Sequence, residues 1–153
     1  MLNRRHLRIK ALQTLYAYHQ AETKEIKLFE KSLLQQVDKV YQNYLQLLLL
    51  LIEVVQHTAI DAQERSEKHI PSADDLNVNQ GLLHNQFIVQ LQNNKYFKEA
   101  IKSQKMSWQG EAEIIRQLFL QLRKKKEHEE YCAATTHDYI VDQEFIQFIL
   151  KKV

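Results

Sequence analysis

Apolar residues recur along this chain in steps of three and four, the period of helices that bury one side. Leu7, Ala11, Leu15 and Tyr18 trace such a stripe within residues 4–21 and predict a helix whose later turns face a core. Ile26, Phe29, Leu33 and Val37 form a second stripe behind Thr23, a candidate N-cap. Val40, Tyr44, Leu47, Leu48, Leu51, Val55 and Ile60 carry a third through residues 38–69. Neither Gly nor Pro marks a joint, so residues 24–69 read equally as one kinked rod or two helices. Residues 47–52 are apolar without a break, which predicts a central helix buried on all faces.

Pro71, Asp74, Asp75 and Gly81 fall in the one obvious loop, and residues 70–81 are the candidate hinge or boundary. Shorter helices are expected beyond it at 82–92, 95–104, 111–126 and 139–152, with a turn near 129–132. Ser107 or Gln109 can start the 111–126 helix, whose core stripe is Ile114, Ile115, Leu118, Phe119 and Leu122. Asp138 or Thr136 can cap the last helix, with Ile140, Phe145, Phe148 and Ile149 facing inward.

Composition sharpens this picture. Two glycines and one proline among 153 residues leave little punctuation for hairpins, and the fold class is all-α, a multi-helix bundle with a long central helix. The length fits a single domain over 1–153 and buries roughly 68–70% of the unfolded surface. Glycine scarcity excludes a phosphate-binding loop or dinucleotide fold, and no nucleophile motif occurs, so neither enzymatic activity nor a cofactor is expected. His128 and Cys132 stand four apart with His137 close by, but without a second cysteine they do not form a recognisable zinc set, and no metal site is expected. A lone cysteine suits a reducing compartment, and the expected location is cytoplasmic. Six apolar residues in a row fall far short of the ~20 that span a bilayer, so no membrane role is expected.

Charge changes the picture most. Arg4, Arg5, Arg8 and Lys10 give the first 21 residues a charge of +4 with no acid, whereas residues 22–153 hold 17 Lys and Arg against 19 Asp and Glu. The net +2 therefore conceals a chain with one basic end, which suits a polyanionic partner. On a helix Arg8 and Arg5 lie about 40° and 100° around from Arg4, so the three share a side. Asn3 is a plausible N-cap. Arginines directly behind it oppose the positive end of the helix dipole unless an anion offsets them, and a phosphate would do so. The alternative is a solvated basic turn. Residues 123–126 form a second basic run, read as cations at a helix C-terminus that Glu127, Glu129 and Glu130 neutralise. Trp108 reads as an interhelical anchor before a base-stacking platform.

The string from Arg4, Arg5 and His6 through Arg8 and Lys10 to Ala11, Leu12, Gln13, Thr14, Leu15 and Tyr16 resembles the opening of the NusB family of transcription antitermination factors. The opening and the later 47–52 run look most like the longer NusB-type proteins of the Bacteroidetes. That resemblance implies that residues 1–153 are the N-terminal part of a longer NusB-like protein. Departures are Ile9, where the family pattern has an acid, and the missing C-terminal signature; contacts made through the family's C-terminal helices are not carried over. The resemblance further implies an all-helical factor in ribosomal RNA transcription that binds single-stranded boxA-type RNA, with the ribosomal protein NusE and the RNA polymerase complex as partners. Arg4, Arg5 and Arg8 would hold phosphates, with His6 and Lys10 at the margins, while Tyr16 stacks a base or Gln13 hydrogen-bonds one. Two other readings stand beside it. One is a helical protein-interaction module; the other is the RNA-binding N-terminal part of a ribosomal RNA methyltransferase.

Overall fold

The computed structural model describes residues 3–134 and 138–152, and all structural statements below concern these. Thr136 and His137 lie outside them. The chain is all-α, with eight helices, one 3-10 turn and no strand among the described residues. The helices are α1 (Arg4–Gln20), α2 (Ile26–Ser66), α3 (Ala73–Leu76), α4 (Gln86–Asn93), α5 (Lys95–Ser103), α6 (Ala112–Arg123), α7 (Lys126–Ala133) and α8 (Tyr139–Lys152). A 3-10 turn at Gly81–His84 precedes α4. Residue contacts divide the chain into two compact units, Met1–Leu47 and Leu48–Val153, so the expected boundary at 70–81 falls inside the second.

The open question about residues 24–69 resolves to one helix. α2 runs 41 residues without interruption, roughly 60 Å at 1.5 Å per residue. It starts at Ile26, two residues beyond the position that a Thr23 cap would set. It also contains one stretch long and apolar enough to cross a bilayer, of which 39% is buried in the protein.

The Met1–Leu47 unit is α1 and the first half of α2. Tyr18 meets Phe29 edge-on, with ring centroids 5.3 Å apart. Thr14 and Leu45 are its only buried residues among those described. The expected core stripe on α1 is therefore corrected: Leu7 and Leu15 are exposed, Ala11 and Tyr18 half-buried. Two helices enclose little, and a stripe covered from one side stays open on the other.

The Leu48–Val153 unit is a multi-helix bundle with a continuous core. Leu51, Val54 and Val55 of α2 pack with Leu82, Ile88, Phe119, Leu122, Phe145, Ile146 and Ile149. Burying each such side chain contributes about 1.5–3 kcal/mol. The 47–52 run is buried only at its end, since Leu47 is exposed, Leu48 half-buried, and Leu51 and Ile52 buried. On α6, Ile114 faces out while Ile115, Phe119 and Leu122 face in. On α8 the inward arc is Asp142, Phe145, Ile146 and Ile149, and Ile140 is exposed.

The loop expected near 71–81 is partly structured. Ser72 caps α3 in a reciprocal box with Asp75, and Lys68 bridges to Asp75 at 2.8 Å. The Lys68 hydrogen bond, then those from Ser72, draw the Asp75 carboxyl down to about 2. The turn expected at 129–132 is instead part of α7.

Candidate nucleic-acid interface

Arg4, Arg5 and Arg8 occupy the first two turns of α1. Asn3 takes extended backbone angles and its side-chain oxygen accepts the Arg5 N–H at 3.2 Å, which fixes where the helix begins. The first turn holds no acid, so dipole and side chains sum to a positive end. All three arginines are exposed, and with Asn3, Ile9 and Leu12 they line an open depression of about 400 Å³. Among the described residues no ion pair involves them or Lys10.

The other sequence-predicted residues divide by their place on the helix. Tyr16 is exposed and lies about 80° around from Arg8, on the side of Leu12 and Arg5. His6, Lys10 and Gln13 lie about 140–200° around from Arg8, on the opposite flank. Lys10 is half-buried, and its carbonyl accepts the Thr14 hydroxyl at 3.0 Å. The fold thus gathers the three arginines with Leu12 and sets Tyr16 beyond them, while His6, Lys10 and Gln13 face another way.

A second cleft, about 520 Å³, opens in the Leu48–Val153 unit beside Thr58, Asp61, Arg123, His128 and Cys132. Thr58 is 2% exposed, and its hydroxyl has no hydrogen-bond partner among the described residues. Asp61 is held by Arg123 at 2.9 Å and Arg65 at 3.0 Å. His128 Nε2 lies 3.7 Å from Cys132 Sγ. Burial, then the Arg123 charge, pushes the His128 imidazole below its ordinary pKa, and burial pushes the Cys132 thiol up. Both shifts favour neutral forms, opposite to the thiolate–imidazolium pair of a cysteine nucleophile. No group of three metal-ligating side chains occurs among the described residues.

The second basic run is internally paired at two positions. Arg123 bonds Asp61, and Lys126 bonds Glu130 at 3.0 Å, which raises the Lys126 pKa. Trp108 is half-buried against the core, where an anchor belongs.

Sequence reasoning missed a buried polar network. Asn85 caps α4 by accepting the Ile88 N–H, and its amide donates to the Tyr131 hydroxyl at 3.0 Å and to the Asp142 carbonyl. Asp142 accepts from Tyr131 and from the Gln86 N–H at 2.8 Å. No spacing signal marks these residues, because each partner comes from a different helix. Their role is to bind α4, α7 and α8 together.

Compared with known proteins, the chain matches no family model, no curated protein and no solved structure.

Proposed function

We propose that this chain is a NusB-like RNA-binding factor of transcription antitermination that holds a boxA-type single strand on α1 during ribosomal RNA synthesis. The observation that carries the reading is the concentration of Arg4, Arg5 and Arg8, exposed and without an ion pair among the described residues, at a capped and acid-free helix start. Phosphate oxygens complement the guanidinium forks bidentately, and the helix N–H groups add to the same field. Leu12 and Tyr16, farther along that side, offer apolar surface to an unstacked base. The chemistry is binding rather than catalysis. NusE and the RNA polymerase complex enter as partners through the resemblance of residues 4–16 alone.

Replacing Arg4, Arg5 and Arg8 together with Ala tests the proposal by fluorescence anisotropy with a labelled boxA-type single strand across a salt series. Each neutralised phosphate contributes about −0.7 to the slope of log K against log[salt], so the triple variant flattens the slope by up to about 2. A folded triple variant with unchanged affinity and slope removes α1 as the RNA site.

A further inference from the structure

A groove of about 550 Å³ opens within the Leu48–Val153 unit, lined by residues of α2, the end of α4, and α5 with the turn behind it. Its floor is apolar: Leu49 and Ile52 of α2, Phe97 and Ile101 of α5, and Met106 just beyond. Ile52 and Phe97 are buried, whereas Leu49, Ile101 and Met106 are half-buried and leave apolar surface open.

The charge that lines the groove is of one sign. Lys98, Lys102 and Lys105 are exposed lining residues, and no Asp or Glu lines it among the described residues. Glu99, the one acid of α5, and Glu53, next to Ile52 on α2, stand outside the lining. Among the described residues none of the three lysines has an ion pair. Leu48–Val153 carries 13 Lys and Arg against 15 Asp and Glu, a net −2, so the cluster runs against the charge of its own unit.

Lys105 adds an independent signal in its backbone. Its φ of 51° is left-handed, a region that glycine enters freely and lysine enters with strain. The Met106 N–H donates to the Ile101 carbonyl at 3.1 Å and the Lys105 N–H to the Lys102 carbonyl at 3.2 Å. These are the paired bonds of a Schellman ending, whose left-handed residue is usually glycine. A cation held there at a cost is a functional signal. Lys102 and Lys105 also offset the negative end of the helix dipole, but Lys98, in the middle of α5, does not.

Spacing states the shape of the partner. Lys98 and Lys102 stand one turn apart on α5, as do Phe97 and Ile101 beside them. On α2, Leu49, Ile52 and Gln56 keep steps of three and four. Two helices that present such seams to one groove accept a third helix, whose side chains repeat at the same period. A stacked base is poorly served, since Phe97 is the one aromatic lining residue among those described and is 9% exposed.

We propose that this groove docks an amphipathic α-helix that carries Asp or Glu along one border of its apolar stripe. The stripe covers Leu49, Ile101 and Met106, and acids one turn apart meet Lys98 and Lys102. Lys105 takes a further carboxylate past the end of α5. The lysines all come from α5 and the turn behind it, so one acidic border suffices, and the other border meets the Gln56 and Gln92 amides. This inference does not rest on RNA binding, since α1 contributes nothing to the groove.

The test uses the whole chain and two labelled helical peptides of about three heptads, alike in a Leu and Ile stripe and bordered on one side by Glu or by Lys. Anisotropy titration is expected to show saturable micromolar binding of the Glu-bordered peptide and about tenfold or more weaker binding of the Lys-bordered one. The pair Lys98→Glu and Lys102→Glu reverses that preference, which misfolding cannot do. Lys105→Gly weakens the Glu-bordered peptide and raises the urea midpoint, because it removes the charge and the strain together. Equal binding of both peptides, no binding of either, or full affinity in the Lys105→Gly protein overturns the proposal. So does a wild-type dimer in sedimentation that the Lys98→Glu and Lys102→Glu pair dissolves, which assigns the groove to a second copy. Single-stranded RNA binding that persists after Arg4→Ala, Arg5→Ala and Arg8→Ala and is then abolished by the same pair overturns it in favour of nucleic acid.

Discussion

Tyr131 donates its phenolic hydrogen to Asp142 at 2.6 Å, and its ring stacks on Phe145 with centroids 4.0 Å apart, so one side chain joins the polar and apolar parts of the second unit. Burial, then the hydrogen bond to Asp142, holds the phenol protonated well above its ordinary pKa. The hydroxyl also accepts from Asn85, which makes the contact three-sided.

Tyr131→Phe keeps the stacked ring and removes only the hydroxyl. It leaves the Asn85 amide and one Asp142 oxygen short of a partner, and the expected cost is about 1–3 kcal/mol in urea unfolding. Tyr131→Phe and Asn85→Ala should cost less together than the sum of the two alone, since they break one network. Full additivity in a double-mutant cycle would show that the network is not coupled.

Position along α2 decides the effect of a leucine deletion. Leu51→Ala opens a cavity beside Val55 and is expected to cost about 2–5 kcal/mol. Leu47→Ala, four residues earlier on the same helix, removes an exposed side chain and stays within about 0.5 kcal/mol. Thermal melts followed by circular dichroism compare the two, and equal losses would contradict the burial difference.

His128 makes stability depend on pH. Its folded pKa lies below the unfolded value of about 6.5, so the unfolded chain binds the proton more readily. Stability from this group is present above about pH 6.5 and is lost as the pH falls from there through the lower folded value. His128→Gln, which cannot take up that proton, should flatten the pH dependence of the urea midpoint in this window. An unchanged slope would assign the dependence to other groups.

Tyr16 separates stacking from ionic contact. Tyr16→Ala is expected to weaken single-stranded RNA binding by about 1–3 kcal/mol with little change in salt slope. Because the side chain is exposed, circular dichroism should be unaltered. An unchanged affinity would remove Tyr16 from the interface while leaving the arginines in it.

Local chemistry was legible in the sequence where one element sufficed to determine it. The Asn3 cap needs only a short polar side chain before a helical stripe, and it forms as expected. The α6 stripe at Ile115, Phe119 and Leu122 needs only its period. What failed depended on neighbours. Leu15 has the spacing of a core residue, yet burial requires a covering element that the pattern of α1 cannot supply. Ile140, expected to face inward, is exposed, and the helix instead buries Asp142, whose partners come from α4 and α7. α7 itself was missed because Lys126–Ala133 has only its buried Tyr131 and His128 to mark a face. At the candidate site the clustering of the arginines could be read from helical geometry, and so could the position of Tyr16. The exposure of Leu12 beside them could not.

The uneven distribution of buried side chains gives the chain two time regimes. Amides in α8, backed by Phe145, Ile146 and Ile149, open only when the surrounding core opens, and their protection against deuterium should approach the global unfolding free energy. Amides of α1 are shielded by little besides Thr14, so that helix can unwind and reform while the rest of the molecule stays intact. A partner seated on α1 would then register first as slowed isotope exchange across residues 4–20.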